Sequence, residues 1–149
     1  MQVAERLVEI LEENGITHIF GIPGEQIMPM YRALSKSKIN HILTKHEQAA
    51  AHAADAFTRT SDAVGVCMAT AGPGALNLVM GVAAAYKDNI PMLVLTGDND
   101  LNIRDTDAFQ SFNLRDIFSN ITHENYSPLN GTEAVYALKA ALYGLKNNP

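Results

Sequence analysis

Hydrophobic positions along this chain follow two patterns that take turns. Val3, Leu7, Ile10 and Leu11 share one face of a helix, and Asn14-Gly15 closes it as a C-cap pair. "THIFGIPG" then reads as a short buried strand ending in a glycine-bracketed turn. A helix is expected over Glu25 to Leu34, with Ile27, Met30, Tyr31 and Leu34 on one side. "INHILT" is a second strand, and the alanine-rich "TKHEQAAAHAADAFTR" a third helix. "AVGVCMAT" and "PMLVLTG" are continuous apolar runs, as in strands covered on both faces. Between them "GPGALNLVMGVAAAYKD" reads as one helix opened by a glycine-proline turn. A polar segment, "DNDLNIRDTDAFQSFNLRDIF", leads to a weak strand near "NITHENY". Val135, Leu138, Leu142 and Leu145 mark a last helix. Strands and helices alternating at this length predict a doubly wound parallel α/β sheet of about five to six strands, with helices on both faces.

Composition narrows this picture without changing it. The 149 residues, 47% hydrophobic and 18% charged, suit one globular domain spanning 1–149, with no repeat or linker. A net charge of −5 and no run of Lys or Arg argue against nucleic acid and anionic membrane surfaces. The single cysteine, Cys67, cannot form an internal disulfide, which fits a reducing compartment. The N-terminal helix is acidic and amphipathic, unlike a cleavable signal, and no apolar stretch approaches the roughly 20 residues that cross a bilayer. A cytoplasmic domain is the expectation.

In sheets of this kind ligands bind beyond the carboxyl ends of the strands. Four turns lie there: "GIPGE", "TKHEQ", "TAGPGALN" and "TGDND". Glu47, at a strand-to-helix junction, has a structural explanation, since Thr44-x-x-Glu47 fits a capping box. A zinc site does not fit: His46 and His52 are six positions apart, about 240° around a helix. "TAGPGALN" suits either a tight turn or ligand contact at a helix start, and lacks the lysine of a P-loop. "DNDLNIRDTDAF" has Ile103 and Phe109 where an EF-hand needs glycine and glutamate. His18, His41 and His123 stand alone in the sequence, and Cys67, inside a buried strand, is a poor nucleophile.

Taken together, "GIPGE", "HEQAAAHAADAFTR", "TAGPGALNLVMGVAAAYKDNIPMLVLTGD" and "DTDAFQ" resemble, in order and spacing, the pyrimidine-binding N-terminal domain of thiamine-diphosphate-dependent enzymes, in particular that of acetolactate synthase large subunits. The resemblance implies a catalytic Glu47 that hydrogen-bonds N1′ of the cofactor's aminopyrimidine and favours the imino tautomer able to deprotonate C2 of the thiazolium. A surround of alanines would help that carboxyl hold its proton. It further implies cofactor contacts by Pro23, Gly24, Thr70, Gly72, Pro73, Gly74 and Asn77. Phe109 and Gln110 would line the reaction side, Gln110 with a catalytic part. The substrate implied is a small 2-oxo acid, decarboxylated and joined to an acceptor, as in pyruvate condensation for branched-chain amino acid synthesis.

The chain departs from the family pattern at Glu25, where a second glycine is usual, at Ser111, where glutamate is usual, and at His123-Glu124, where a lysine-histidine pair is usual. These changes fall on the substrate side, so the α subunit of a split decarboxylase, such as sulfopyruvate decarboxylase, is an alternative; a regulatory domain of the same fold is another. Family enzymes hold the diphosphate and Mg²⁺ through a second domain with a G-D-G motif, which is missing here. No metal ligand is therefore assigned. The expected partner is a diphosphate-binding domain, of a longer chain or another subunit, in a homodimer or higher assembly. The resemblance also makes the domain incomplete at its C-terminus, with the central domain absent and the chain inactive alone. FAD binds mainly outside such a domain, so its use stays open.

Overall fold

A computed structural model describes residues 2–104 and 106–147. Asp105, the first residue of the "DTDAFQ" motif, lies outside the described residues, as do Asn148 and Pro149. The chain folds as α1 (Val3–Glu13), β1 (His18–Gly21), a 3-10 turn (Glu25–Ile27), α2 (Met28–Leu34), β2 (Asn40–Leu43), α3 (Glu47–Thr60), β3 (Gly65–Ala69), α4 (Pro73–Leu76), α5 (Val79–Lys87), β4 (Met92–Thr96), α6 (Leu114–Ser119) and α7 (Gly131–Asn147). The strands form one parallel sheet in the order β2-β1-β3-β4.

Alternation along the strands supplies both faces of the sheet. Ile19, Val66, Met68 and Leu93 join a core with α1, α2 and α7. Phe20, Cys67 and Ala69 join a second core with α3, α5 and α6. The doubly wound architecture is thus as expected, but the described residues form four strands rather than five or six. The segment read as a weak strand is occupied in ending α6: Ile121 N–H and the Thr122 hydroxyl donate to the Phe118 carbonyl at 3.0 and 2.8 Å, and the Asn125 amide donates to the Arg115 carbonyl at 2.7 Å. Among the described residues the segment pairs with no strand. Helix α6 itself was not anticipated, although Asn113 caps it through the Asp116 N–H. The helix expected over "GPGALNLVMGVAAAYKD" is broken at Asn77-Leu78, where Leu78 N–H bonds to Ala75, three residues back. Val3, placed in the core from its spacing, is exposed, and Ala4 and Val8 take the buried face.

The second core is built from very small residues. A methyl group on Gly65 would collide with the backbone carbonyl of Ala54. One on Gly81 would come within 2.5 Å of the Ala51 Cβ and 2.9 Å of the His52 nitrogen. Ala50, Ala51 and Ala54 are fully buried between these surfaces. Helix α3 therefore lies unusually close to both β3 and α5. Arg59 bonds Asp55 at 2.8 Å and reaches Asp88 beyond α5, fixing the far end of the helix.

Two outcomes follow from this packing. Gly65→Ala, which puts a methyl into backbone, should cost about 2–3 kcal/mol in urea unfolding; a loss within about 0.5 kcal/mol would mean that α3 is free to retreat. The second concerns His41, whose pKa is lowered by burial, opposed by a hydrogen bond with the Gly21 backbone. Below an unfolded-state pKa of about 6.5 the unfolded chain takes up a proton that the folded chain resists, so stability falls as pH drops from there to the lower folded value. This acid-dependent loss should be smaller in His41→Phe when urea midpoints are compared across that window.

Candidate functional site

The strand order fixes where the site can be. From β1 the chain moves outward to β2, and from β3 outward to β4, so the connections diverge between the adjacent β1 and β3. A crevice opens at such a switch point, beyond the carboxyl ends of the two strands. The turn after β1 and the turn after β3 meet there. A Cβ on Gly24 would collide with the Thr70 side chain, and one on Gly74 would lie 2.8 Å from Thr70 Cγ2. The Thr70 hydroxyl donates to Gln26 Oε1 at 2.9 Å, tying the turns together. Pro23, beside Gly24, is exposed on the same turn, and Pro73 is exposed at the first residue of α4.

Glu47 enters this crevice from α3. The capping box anticipated for it does not form. His46 is the N-cap, in extended backbone, and its ring Nδ1 accepts from the Gln48 N–H at 3.1 Å. The Thr44 hydroxyl instead donates to the His46 carbonyl at 3.0 Å. Glu47 is consequently the first residue of the helix, where a carboxylate suits the dipole but has no cap to make. Its Oε2 accepts from the Asn77 amide at 2.9 Å, and its Oε1 stands 3.4 Å from the point a Gly74 Cβ would occupy. The alanines behind it face the sheet and α5, so they pack the helix rather than wrap the carboxylate.

Phe109 and Gln110 are brought to the other side of the same turn. Gln110 holds a left-handed backbone (φ +59°), and its carbonyl fills the space that a side chain on Gly72 would need. Gly72 has φ +57°, a conformation that favours glycine. The buried Asn99 donates to the Phe109 carbonyl at 3.1 Å, and Phe109 as a residue is 78% exposed. Thus Gly24, Glu47, Thr70, Gly72, Gly74 and Asn77 are gathered in one crevice. Phe109 and Gln110 reach it through the Gly72 turn, against which the Gln110 backbone packs.

Sequence reasoning missed Gln26 and Asn99, which hold the turns, and His46, which starts α3. The histidines taken as isolated each have an aromatic neighbour: His18 with Phe57, His41 with Tyr31, His123 with Tyr86. Burial raises the Cys67 thiol to about 12, which keeps it protonated in the core. Among the described residues no cluster of three His, Cys, Asp or Glu side chains has metal-binding geometry, and no helix is long and apolar enough to cross a membrane. A separate cavity of about 780 Å³ lies along β4, bordered by α6, the 121–128 segment and α7. It touches the candidate site only at Gln26.

The donor set suits the aminopyrimidine of thiamine diphosphate: of the two Glu47 oxygens at the switch point, Asn77 bonds Oε2, and among the described residues no hydrogen bond engages Oε1. Comparison with known proteins points the same way. The chain is 45% identical over 141 residues to the probable acetolactate synthase large subunit of Methanocaldococcus jannaschii, covering 95% of this chain and 24% of that protein. It is 45% identical over 124 residues to the acetolactate synthase of Arthrospira platensis, covering 80% of this chain and 21% of that protein. It is 40% identical over 144 residues to the acetolactate synthase large subunit of Corynebacterium glutamicum, covering 96% and 23%. The chain spans about a quarter of the length of these relatives. Residues 1–118 match the family described as "Thiamine pyrophosphate enzyme, N-terminal TPP binding domain", and the chain belongs to that family.

Proposed function

We propose that this chain is the pyrimidine-binding part of a thiamine-diphosphate-dependent enzyme that decarboxylates a 2-oxo acid and joins the product to an acceptor, as the relatives named acetolactate synthase do. The observation that carries the reading is the Glu47 carboxylate at the switch point, held through Oε2 by Asn77, with Oε1 beside Gly74. Thiamine diphosphate, when bound, supplies an acidic carbon and an electron sink for the decarboxylated fragment.

The residues of this chain bind, orient and hold a proton. Asn77 occupies Oε2 of Glu47, so Oε1 is the oxygen left to share a proton with a ring nitrogen of the ligand. Thr70, Gly24 and Gly74 pack the two turns together beside that oxygen. Phe109 offers an exposed apolar ring at the rim, which a bound substrate could cover. Gln110 stands beside it, its backbone locked against Gly72. Mg²⁺ and the diphosphate would be held by a further domain, in the same longer polypeptide or in another subunit of a dimer or larger assembly. This chain alone would then be inactive. No observation favours the split decarboxylase or the regulatory domain.

In the complete enzyme, Glu47→Gln should slow hydrogen–deuterium exchange at C2 of the bound cofactor about a hundredfold or more, a proton-transfer loss read by NMR after acid quench. Exchange within twofold of the unsubstituted enzyme would remove Glu47 from catalysis. Gly74→Ala, which sets a methyl 2.8 Å from Thr70 Cγ2 and 3.4 Å from Glu47 Oε1, should weaken cofactor affinity about tenfold or more in calorimetric titration with little change in secondary structure. Unchanged affinity would place the ring elsewhere.

A further inference from the structure

Strand β4 has the composition of an interior strand and the position of an edge. Its run "MLVLT" is nearly all apolar, as in a strand covered on both faces, yet β3 is buried throughout and β4 only at Leu93. The Gly97 N–H bonds to the Ala69 carbonyl at the end of β3. Amides alternate in direction along a strand, so those of Thr96 and Val94 point the other way, where among the described residues no strand pairs. On that side lies the cavity of about 780 Å³, lined by every residue of β4 and, opposite, by every residue from 121 to 128. Leu138 and Leu145 of α7 border it on one face, Val82 and Phe118 on the other. It is a groove between two stretches of chain, closed by helices above and below.

The wall opposite β4 runs in the same direction as β4. Near its start His123 packs on Tyr86, close to the end of α5 and so to the amino end of β4. Farther on, Arg104 pairs with Asp98, just past the carboxyl end of β4, and donates to the Ser127 hydroxyl at 3.2 Å. Helix α7 then returns: a Cβ on Gly144 would stand 3.0 Å from Glu124 Oε1, and Lys146 donates to Asn14, ahead of β1, at 3.0 Å. It therefore ends at the amino ends of the strands, on the face it shares with α1 and α2. Handedness decides where a strand after it would go. Through α2, on this same face, the chain steps from β1 to β2, away from β3. A crossover of the same hand from the 121–128 segment through α7 steps in the same direction, which is toward β4 and into the groove.

We propose that the groove is the seat of a further parallel strand, about five or six apolar residues long, supplied by the polypeptide that follows α7 in the complete protein. It pairs with the outward amides of β4 on one side and with the 121–128 segment on the other. That gives the segment read as a weak strand the ladder partner it needs. The family domain is N-terminal by its description, and this chain matches 24% of the Methanocaldococcus jannaschii relative, so that relative has polypeptide from which to supply such a strand. The proposal concerns packing and depends neither on Glu47 nor on a cofactor.

Two measurements on the complete protein, without cofactor, test it. In amide exchange read by mass spectrometry with electron-transfer fragmentation, Val94 and Thr96 should exchange as slowly as the amides of β3, about a hundredfold or more below an unstructured peptide. Exchange within about tenfold of the unstructured rate would mean that the edge stays open, and overturns the proposal. Tyr126→p-benzoylphenylalanine places a photoreactive group on the wall opposite β4. Irradiation should cross-link it within about a dozen residues after α7 of the same polypeptide, the span of one short connection and one strand. A cross-link to a second copy, to a more distant segment, or to nothing beyond this domain overturns the proposal. The exchange measurement needs no substitution, so it decides the matter even if the labelled variant does not fold.

Discussion

Position at the candidate site depends on how closely α3 can approach β3 and α5. Two glycines and three alanines set that distance: Gly65 admits the Ala54 carbonyl, Gly81 admits Ala51, and Ala50, Ala51 and Ala54 have no bulk to push back. The contact has a register. Ala51 meets Gly81, and four residues earlier on each segment Glu47 meets Asn77. Four residues is about one helical turn. A packing contact inside the core and a hydrogen bond at the mouth of the crevice are thus successive rungs of one ladder. The alanine run that looks like simple helix propensity is what delivers the carboxylate.

This arrangement joins two requirements that would otherwise compete. A carboxylate that is to exchange a proton with a ligand needs a free oxygen, yet a side chain with free torsions presents that oxygen in many directions. Starting the helix at Glu47, with His46 as cap, leaves the carboxylate no backbone amide to satisfy. Asn77 then uses one oxygen and leaves the other. The turns after β1 and β3 meet at the switch point by packing glycine against Thr70. The site is assembled by close approach, and its chemistry is concentrated in a single acid.

Much of this was legible in the sequence, and the failures have physical causes. Buried strands and amphipathic helices wrote themselves in the hydrophobic pattern, so β1 to β4 and helices α1, α3 and α7 were readable from it. The strand near "NITHENY" was not formed; there the Thr122 hydroxyl and the Asn125 amide bond to carbonyls of α6, a use of polar side chains that strand periodicity does not register. The break at Asn77-Leu78 left no mark in the apolar spacing. Yet it is what makes Asn77 the end of α4. Thr44 and Glu47 satisfied the spacing of a capping box, but His46 competed for the helix start and won, a role that its side chain can take only in extended backbone. Glu47 and the glycine turns were found through a family pattern, and local spacing would have assigned them to structure alone. Gln26 and Asn99 were invisible because their significance lies in partners distant in sequence.

The measurement that bears most directly on the ladder is NMR of the Asn77 side-chain amide in Gly81→Ala. This substitution adds one methyl against Ala51, a full turn from Glu47, and touches neither member of the hydrogen bond. If close packing places the carboxylate, the Asn77 amide protons should shift and exchange with solvent several-fold faster, because α3 has been pushed from its register. An Asn77 amide with unchanged shifts and exchange, in a chain that has merely lost stability, would contradict the account: Glu47 would then be placed by its own turn and not by the helix behind it.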